Sequence, residues 1–189
     1  MKAEERSIIY YGDNLDILRK HIPDESVDLV YLDPPFKSQQ EYNILFRTVR
    51  GEPASAQVRA FSDTWKWDQG ARATYDSLMQ DPQVPGNVAQ MVSAFHQFLG
   101  PSEMLAYLVM MTPRLMELHR VLKPTGSLYL HCDPAASHYL KVVLDTIFGP
   151  TNFRNEVVWK RAQPKAHITK RFPRSHDLLL FYAKSEEAR

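Results

Sequence analysis

Val27-Asp28-Leu29-Val30-Tyr31-Leu32-Asp33-Pro34-Pro35-Phe36 is the stretch that decides the fold of this 189-residue chain. Its first six residues are mostly branched and apolar, which predicts a strand buried on both faces of a sheet. Pro34 and Pro35 lack a backbone N–H, so the strand ends before them and the turn that follows is stiff. Asp33 therefore lies beyond the carboxyl end of a strand, where open α/β sheets bind ligands. A strand exit in which Asp33 only caps a turn is the alternative that these residues leave open.

The sequence around this stretch predicts alternating strands and helices, which is the pattern of an α/β fold. Apolar runs of strand length recur along the chain, and amphipathic segments of helical period lie between them. The expected strands are 7–11, 27–32, 127–131, 156–160 and 178–183, the last two as an antiparallel pair; the expected helices are 14–22, 102–122 and a third that follows Asp133-Pro134 and ends at Gly149-Pro150.

Length and composition indicate one globular domain with a substantial core. Hydrophobic residues make up 44% of the chain and charged residues 24%, as in ordinary globular proteins. The single cysteine, Cys132, excludes an internal disulfide and is typical of a reducing cytosol, so we expect a cytoplasmic protein. No apolar run is long enough to span a bilayer, which predicts no membrane partner.

Basic charge is concentrated in one segment, although the formal net charge of the whole chain is only +1. Removing the six basic residues of this segment from that net charge of +1 leaves −5. Such a segment can neutralise the phosphates of a nucleic-acid backbone, and a solvated loop is the alternative. No acid interrupts the six, which are Lys160, Arg161, Lys165, Lys170, Arg171 and Arg174.

Residues 37–100 contain glycines, prolines and polar residues that break any long period, apart from weak helical periodicity at 88–99. The aromatic-rich segment 61–68 is expected to pack against the body of the domain, with a wall facing nucleic acid as the alternative. In the long helix, Pro113 is expected to introduce a kink or divide the helix, and Gly126 to end it in a left-handed conformation.

Asp33-Pro34-Pro35-Phe36 after an apolar strand resembles the catalytic motif of DNA methyltransferases that modify the exocyclic amino group of adenine or cytosine. The resemblance extends over nearly the whole chain in consistent order, and it is closest to the circularly permuted branch, in which the catalytic motif precedes the cofactor motif. The further segments that resemble this family are Tyr11-Gly12-Asp13-Asn14-Leu15, 23–28, 122–133, Phe148-Gly149, 152–156 and His176-Asp177-Leu178-Leu179.

The resemblance implies an α/β, Rossmann-like sheet with helices on both faces and a site-specific methyltransferase of restriction-modification type. S-adenosylmethionine would be the methyl donor, and the amino group of adenine, rather than cytosine, the target. The carboxylate of Asp33 and the carbonyl of Pro34 could accept hydrogen bonds from that amino group and orient its lone pair, held by the rigid turn at Pro35. Phe36 could stack on the base, which must leave the duplex to react.

Asp13 follows a glycine at a strand end and could reach the same edge of the sheet. By resemblance, Asp13 would bind the adenine of the cofactor, with Asp33 beside the cofactor as well. The alternative is an acid favoured by a helix N-terminus, a role that Asn14 could share. Asp133 is expected to cap a helix, with a cofactor contact as the alternative. His131-Cys132-Asp133 predicts no metal site, because adjacent residues on a strand point in different directions.

One departure from the family concerns the glycine-rich turn, typically Phe-x-Gly-x-Gly, that binds the cofactor. None of the seven glycines lies close enough to another to form it. We therefore interpret residues 1–189 as the catalytic part of a methyltransferase domain, with 37–100 as an insertion and 160–176 as the DNA-facing segment. A second half or second chain would supply the glycine-rich turn and target recognition.

The missing half has a structural consequence in the family geometry, where strands of that half lie between 7–11 and 27–32. These two segments should then not pair, and the open strand edges should favour self-association. Two other functions stay open. The chain could be an inactive remnant that only binds DNA or a protein partner. A nicotinamide oxidoreductase is disfavoured because the Gly-x-Gly-x-x-Gly fingerprint is absent.

Overall fold

The computed structural model describes residues 7–34, 41–44, 58–62, 65–161 and 175–188. The chain combines helices and strands, as expected of an α/β fold, but three strands and then three helices follow one another between residues 27 and 121. The helices are α1 (Asn14–His21), α2 (Gln69–Gln80), α3 (Gly86–Leu99), α4 (Glu103–Val121) and α5 (Ser137–Phe148), with a 3-10 turn at Pro150–Asn152. The strands are β1 (Val27–Leu32), β2 (Glu41–Ile44), β3 (Val58–Ser62), β4 (Leu122–Cys132), β5 (Phe153–Lys160) and β6 (His176–Ala183).

Four strands form the main sheet in the order β1-β4-β6-β5, and β2 and β3 form a separate antiparallel pair. β1 lies parallel to β4, whereas β6 is antiparallel to both β4 and β5. The predicted antiparallel pair near the end of the chain is therefore confirmed. The parallel register pairs Leu32 with Leu130, which brings the carboxyl ends of β1 and β4 together.

The core lies between α4, α5 and the sheet. Even-numbered residues of β4 from Leu128 to Cys132 are fully buried, because alternate residues of a strand point to the same face. The amphipathic stripe predicted for the long helix is confirmed, and α4 runs through Pro113 without being divided. The leucines of that stripe are all buried: Leu105, Leu108, Leu115, Leu118 and Leu122.

β1 has the predicted bounds, but the expectation that it is buried on both faces is wrong. Leu29 and Tyr31 are each 57% exposed. The reason is the position of β1 at the edge of the described sheet, where β4 is its one hydrogen-bonded neighbour. Apolar strand residues alone do not distinguish an edge strand from a central one.

The segment 7–11 does not pair with β1, as expected, but it is not the strand that its apolar residues predict. Ile8 and Ile9 are 68% and 95% exposed. No described strand lies beside this segment, so its backbone has no ladder to join. A strand requires such a partner, and local sequence cannot supply one.

Gly126 does not end the long helix, because α4 stops at Val121 and Gly126 lies inside β4. Its φ angle is not positive, in contrast with those of Gly12, Gly100 and Gly149. Space is the reason for a glycine here. A Cβ atom would lie 2.9 Å from Leu122 Cδ2 and 3.0 Å from the carbonyl oxygens of Lys123 and Val27.

The expectation that residues 37–100 are irregular is wrong for four elements of this region: α3 matches the predicted weak periodicity, whereas α2, β2 and β3 have no counterpart in the prediction. The side chain of Asp68 caps α2 by accepting a hydrogen bond from Ala71 N at 3.0 Å. Trp65 packs on Tyr107 with 5.5 Å between ring centroids, and Trp67 packs on Tyr75 at 6.0 Å. The packing interpretation of the aromatic-rich segment therefore holds for these two tryptophans.

Polar contacts attach α1 to α4, since no residue of α1 is fully buried. Arg114 Nη2 lies 2.8 and 2.7 Å from the two carboxylate oxygens of Asp13, and its Nε donates to Asn14 Oδ1 at 2.8 Å. Further along, Arg120 Nη2 donates to the Leu18 carbonyl at 2.8 Å. The start of α1 is therefore held mainly by one guanidinium of α4.

Within the described residues, no helix is both long enough and apolar enough to cross a membrane.

The crowding at Gly126 predicts that Gly126→Ala destabilises the fold. The added methyl meets two backbone carbonyls that cannot easily move, so we expect a loss of about 1–3 kcal/mol in the free energy of unfolding. Gly86→Ala is the control, because a Cβ there meets nothing within 4 Å and helix α3 gains up to about 1 kcal/mol. Urea denaturation measures both, and equal stability of the two variants would contradict this packing.

The polar attachment of α1 predicts that Arg114→Met loosens this helix selectively. Loss of the charge-assisted hydrogen bonds should raise amide exchange in α1 roughly tenfold. Hydrogen exchange read by mass spectrometry measures it, with Arg72→Met on the exposed face of α2 as the control. Unchanged exchange in α1 would show that the Arg114 contacts do not hold it.

Candidate active site

Asp33 and Pro34 follow the last residue of β1, as the sequence predicts. Pro34 is buried, whereas the Asp33 side chain is 58% exposed. The buried proline anchors the turn, and the carboxylate faces an open cavity of about 420 Å³. Pro35 and Phe36, the other two predicted catalytic residues, lie outside the described residues.

Asp13 lines the same cavity as Asp33. Gly12 precedes it with a φ of 142°, a backbone conformation that favours glycine and turns the chain into α1. The structure therefore brings together two acids that are 20 residues apart, one before a helix and one after a strand. The cavity is completed by Asn14, Leu32, Pro34, Trp65, Met110 and Arg114, among others.

Asp13 already has partners within the protein. Its Oδ1 accepts a hydrogen bond from Leu15 N at 2.8 Å and so caps α1, which confirms the helix N-terminal interpretation. Both of its oxygens also face Arg114. A ligand that binds Asp13 must share the carboxylate with this guanidinium or displace it.

Asp33 has a neighbour that the sequence did not predict. His131 Nδ1 lies 3.2 Å from Asp33 Oδ1, and His131 Nε2 lies 3.5 Å from Asp177 Oδ2. Arg161 Nη1 donates to Asp177 Oδ1 at 3.2 Å. The signal that could have revealed this group is the strand register, since His131 follows Leu130, the partner of Leu32. Without a structure, the parallel pairing of β1 and β4 is not known.

The expectation that Asp133 caps a helix is wrong, because Ala136 is the N-cap residue of α5 and Asp133 instead caps the turn that precedes it. Its Oδ1 accepts hydrogen bonds from Ala135 N at 3.1 Å and Ala136 N at 2.8 Å. Helix α5 begins only at Ser137, later than the Asp133-Pro134 pair suggests.

Cys132 is chemically quiet beside this site. Burial, with further contributions from Asp133, Glu156 and Asp177, raises the pKa of its thiol to about 12. The protonated thiol is neither a nucleophile nor a good metal ligand at neutral pH. In the described part of the chain, no cluster of three or more His, Cys, Asp or Glu side chains could hold a metal ion.

The structure describes two of the six predicted DNA-binding residues, Lys160 and Arg161. Lys160 ends β5 and is exposed, next to Trp159, which is also exposed. Arg161 N donates to Ser175 O at 2.7 Å and closes the segment 162–174 at its base. The other four residues, Lys165, Lys170, Arg171 and Arg174, lie outside the described residues.

Comparison with known proteins gives consistent results. Residues 27–188 match the sequence profile of a family described as DNA methylase. The StyLTI Mod subunit of a type III restriction-modification enzyme from Salmonella typhimurium is 27% identical over 92% of this chain. The type II methyltransferase M.KpnI from Klebsiella pneumoniae is 25% identical over 96%. The chain covers 23% and 33% of these two relatives, respectively.

A solved structure shares the fold. The PvuII DNA methyltransferase, described as cytosine-N4-specific, aligns with a TM-score of 0.53 at 13% identity, over 95% of this chain and 50% of that one. The α/β methyltransferase fold predicted from the sequence is confirmed by this similarity. On the strength of the match over residues 27–188, the chain belongs to the DNA methylase family, the exocyclic-amino DNA methyltransferases.

Proposed function

We propose that this chain carries the catalytic acid of a restriction-modification DNA methyltransferase that uses S-adenosylmethionine and acts on the amino group of adenine rather than cytosine. The observation that carries the proposal is the shared cavity of Asp13 and Asp33 at the carboxyl end of β1. Membership in the DNA methylase family and the restriction-modification relatives support it. The permuted order of motifs is part of the same proposal.

The chemistry follows from the Asp33-Pro34 turn. An exocyclic amino group is a poor nucleophile because its lone pair is delocalised into the base. The Asp33 carboxylate and the Pro34 carbonyl can each accept an N–H of that group, which localises the lone pair on nitrogen. The buried Pro34 holds the turn and so preorganises the backbone at this site, and such preorganised groups make large contributions to catalysis.

The residues of the cavity fit the proposed cofactor. S-adenosylmethionine supplies an electrophilic methyl group on a sulfonium cation, and two carboxylates line a space of about 420 Å³. Asp33 would orient the target amino group beside the methyl group, and Asp13 would hold the cofactor's adenine. For this second contact Arg114 must share Asp13, because both of its oxygens are engaged.

We also propose a protein partner for the outer edge of β1, either another part of a longer polypeptide or a second chain. Leu29 and Tyr31 on this strand are more than half exposed, and no described strand pairs with that edge. A segment with the glycine-rich turn that this sequence lacks would complete the cofactor site there. Pairing of a further strand satisfies the free backbone groups of an edge.

A second candidate function is a DNA-binding module without catalysis. One observation favours it: Arg114 occupies both oxygens of Asp13, the residue proposed to bind the cofactor. The two functions differ in their dependence on Asp33, since a binding module does not need a carboxylate at that position.

Replacement of the catalytic acid tests the proposed reaction. Asp33→Ala should reduce methyl transfer by at least about 100-fold, because it removes a preorganised acceptor, and leave DNA affinity nearly unchanged. Asp28→Ala is the control, because Asp28 lies within β1, is 77% exposed and pairs with Lys123. The assay is transfer of tritiated methyl groups to DNA by the full-length protein, with nucleoside analysis to identify the methylated base. Equal rates for Asp33→Ala and wild type would refute the catalytic assignment.

Charge reversal of the basic segment tests DNA binding. Each phosphate contact contributes about −0.9 to the slope of log affinity against log salt concentration, so Lys165→Glu, Lys170→Glu and Arg171→Glu together should flatten the slope by up to about 3. Fluorescence anisotropy with labelled DNA measures it, and Lys20→Glu on α1 serves as the control. An unchanged slope would make the segment a solvated loop.

A further inference from the structure

The proposed catalytic acid belongs to a row of charged and polar side chains that crosses three strands. Asp33 follows β1, His131 lies near the end of β4, and Asp177 lies near the start of β6. The imidazole lies between the two carboxylates, 3.2 Å from Asp33 Oδ1 and 3.5 Å from Asp177 Oδ2. The imidazole ring of His131 therefore lies between exposed Asp33 and buried Asp177.

Strand register makes this arrangement specific. Leu32 pairs with Leu130 in the parallel ladder, so the next residues, Asp33 and His131, lie side by side. His131 pairs with Leu179 in the antiparallel ladder, which places Asp177 two residues away on the same face. A slip of one residue in either ladder would move His131 to the opposite face.

Asp177 and His131 are buried more deeply than Asp33, and Asp177 also has a cationic partner. The Asp177 side chain is only 7% exposed and that of His131 17%, whereas that of Asp33 is 58% exposed. A buried carboxylate is costly without a partner, and Arg161 supplies one at 3.2 Å. The backbone N–H of Arg161 also donates to the Ser175 carbonyl. The basic segment therefore begins next to Asp177.

We propose that His131 is a positioning residue for Asp33 and that Asp177 holds the imidazole in place. This inference rests on the proposed methyl transfer, because it concerns the acid assigned to that reaction. His131 restrains Asp33 Oδ1, which leaves the second carboxylate oxygen, Oδ2, as the acceptor for an amino N–H. An exposed carboxylate without such support rotates freely, and the acceptor geometry is lost.

The same row gives Arg161 a role other than binding a phosphate. Its guanidinium neutralises Asp177 and so keeps the support of His131 intact. Arg161 is exposed, as Lys160 is, but its Nη1 lies 3.2 Å from Asp177 Oδ1. Arg161 thus connects the start of the basic segment to Asp177, which holds His131 beside the proposed catalytic acid.

Two substitutions of His131 test the proposal in the full-length protein. His131→Leu removes both ring nitrogens and should lower kcat by up to about 100-fold, with the KM for DNA unchanged, because the acid is displaced but the binding surface is not. His131→Asn keeps a short N–H donor and should recover part of kcat. His138→Leu and His138→Asn are the matched controls on the exposed face of α5.

A second measurement does not depend on activity. Carbon-13 spectra of aspartate carboxyl groups, with the Asp33 signal identified through Asp33→Asn, should show that signal displaced in His131→Leu and unmoved in His138→Leu. Asp177→Asn keeps the imidazole but removes the carboxylate that holds it, so this variant should also displace the signal, which covers the case in which His131→Leu does not fold.

The kinetic and the spectroscopic measurements together distinguish failure of the positioning role from failure of the proposed methyl transfer. An inactive wild-type protein in which the Asp33 signal still responds to His131 would refute the proposed function and support the positioning. An active protein with unchanged kcat in His131→Leu, or an unmoved Asp33 signal in both His131→Leu and Asp177→Asn, would overturn the positioning role.

Discussion

The parallel pairing of β1 with β4 is the constraint on which the rest of the site depends. It places the residue after Leu32 beside the residue after Leu130, and thus Asp33 beside His131. The close approach of the two strands near Gly126, where a Cβ would lie 3.0 Å from the Val27 carbonyl oxygen, holds the start of this pairing tight. A sheet that paired β1 differently would separate the acid from its neighbour and from the cavity.

Asp13, the second acid of the cavity, is positioned by side-chain contacts and not by a sheet. Helix α1 buries no residue completely, and its start is positioned by the hydrogen bonds between Arg114 and the Asp13-Asn14 pair. One wall of the cavity is therefore built on a ladder of backbone hydrogen bonds and the other on side-chain ion pairs. Under the proposed function, the catalytic acid is the more firmly held of the two, and the acid proposed to bind the cofactor is held by side-chain contacts.

Sequence reasoning succeeded where local pattern and chemistry agree. The bounds of β1, the buried stripe of α4 and the β5–β6 pair follow from periodicity and from residues such as Pro34 that stop a strand. It failed where tertiary contacts decide. The burial of β1 depends on which strands lie beside it, and a glycine is needed at position 126 because a Cβ would clash there, not because of a positive φ. Arg114 and His131, which contact Asp13 and Asp33, are about 100 residues away from them in sequence.

Ultraviolet cross-linking of tritiated S-adenosylmethionine to the full-length protein, followed by peptide mapping, tests the central claim most directly. A cofactor bound between the two acids should label peptides that contain Asp13 or Asp33. The structure also contains a larger cavity, of about 520 Å³, between α1, α2 and α4, lined in part by residues from Ala73 to Val84. Label confined to peptides from 73–84 would contradict the placement of the methyl donor beside Asp33.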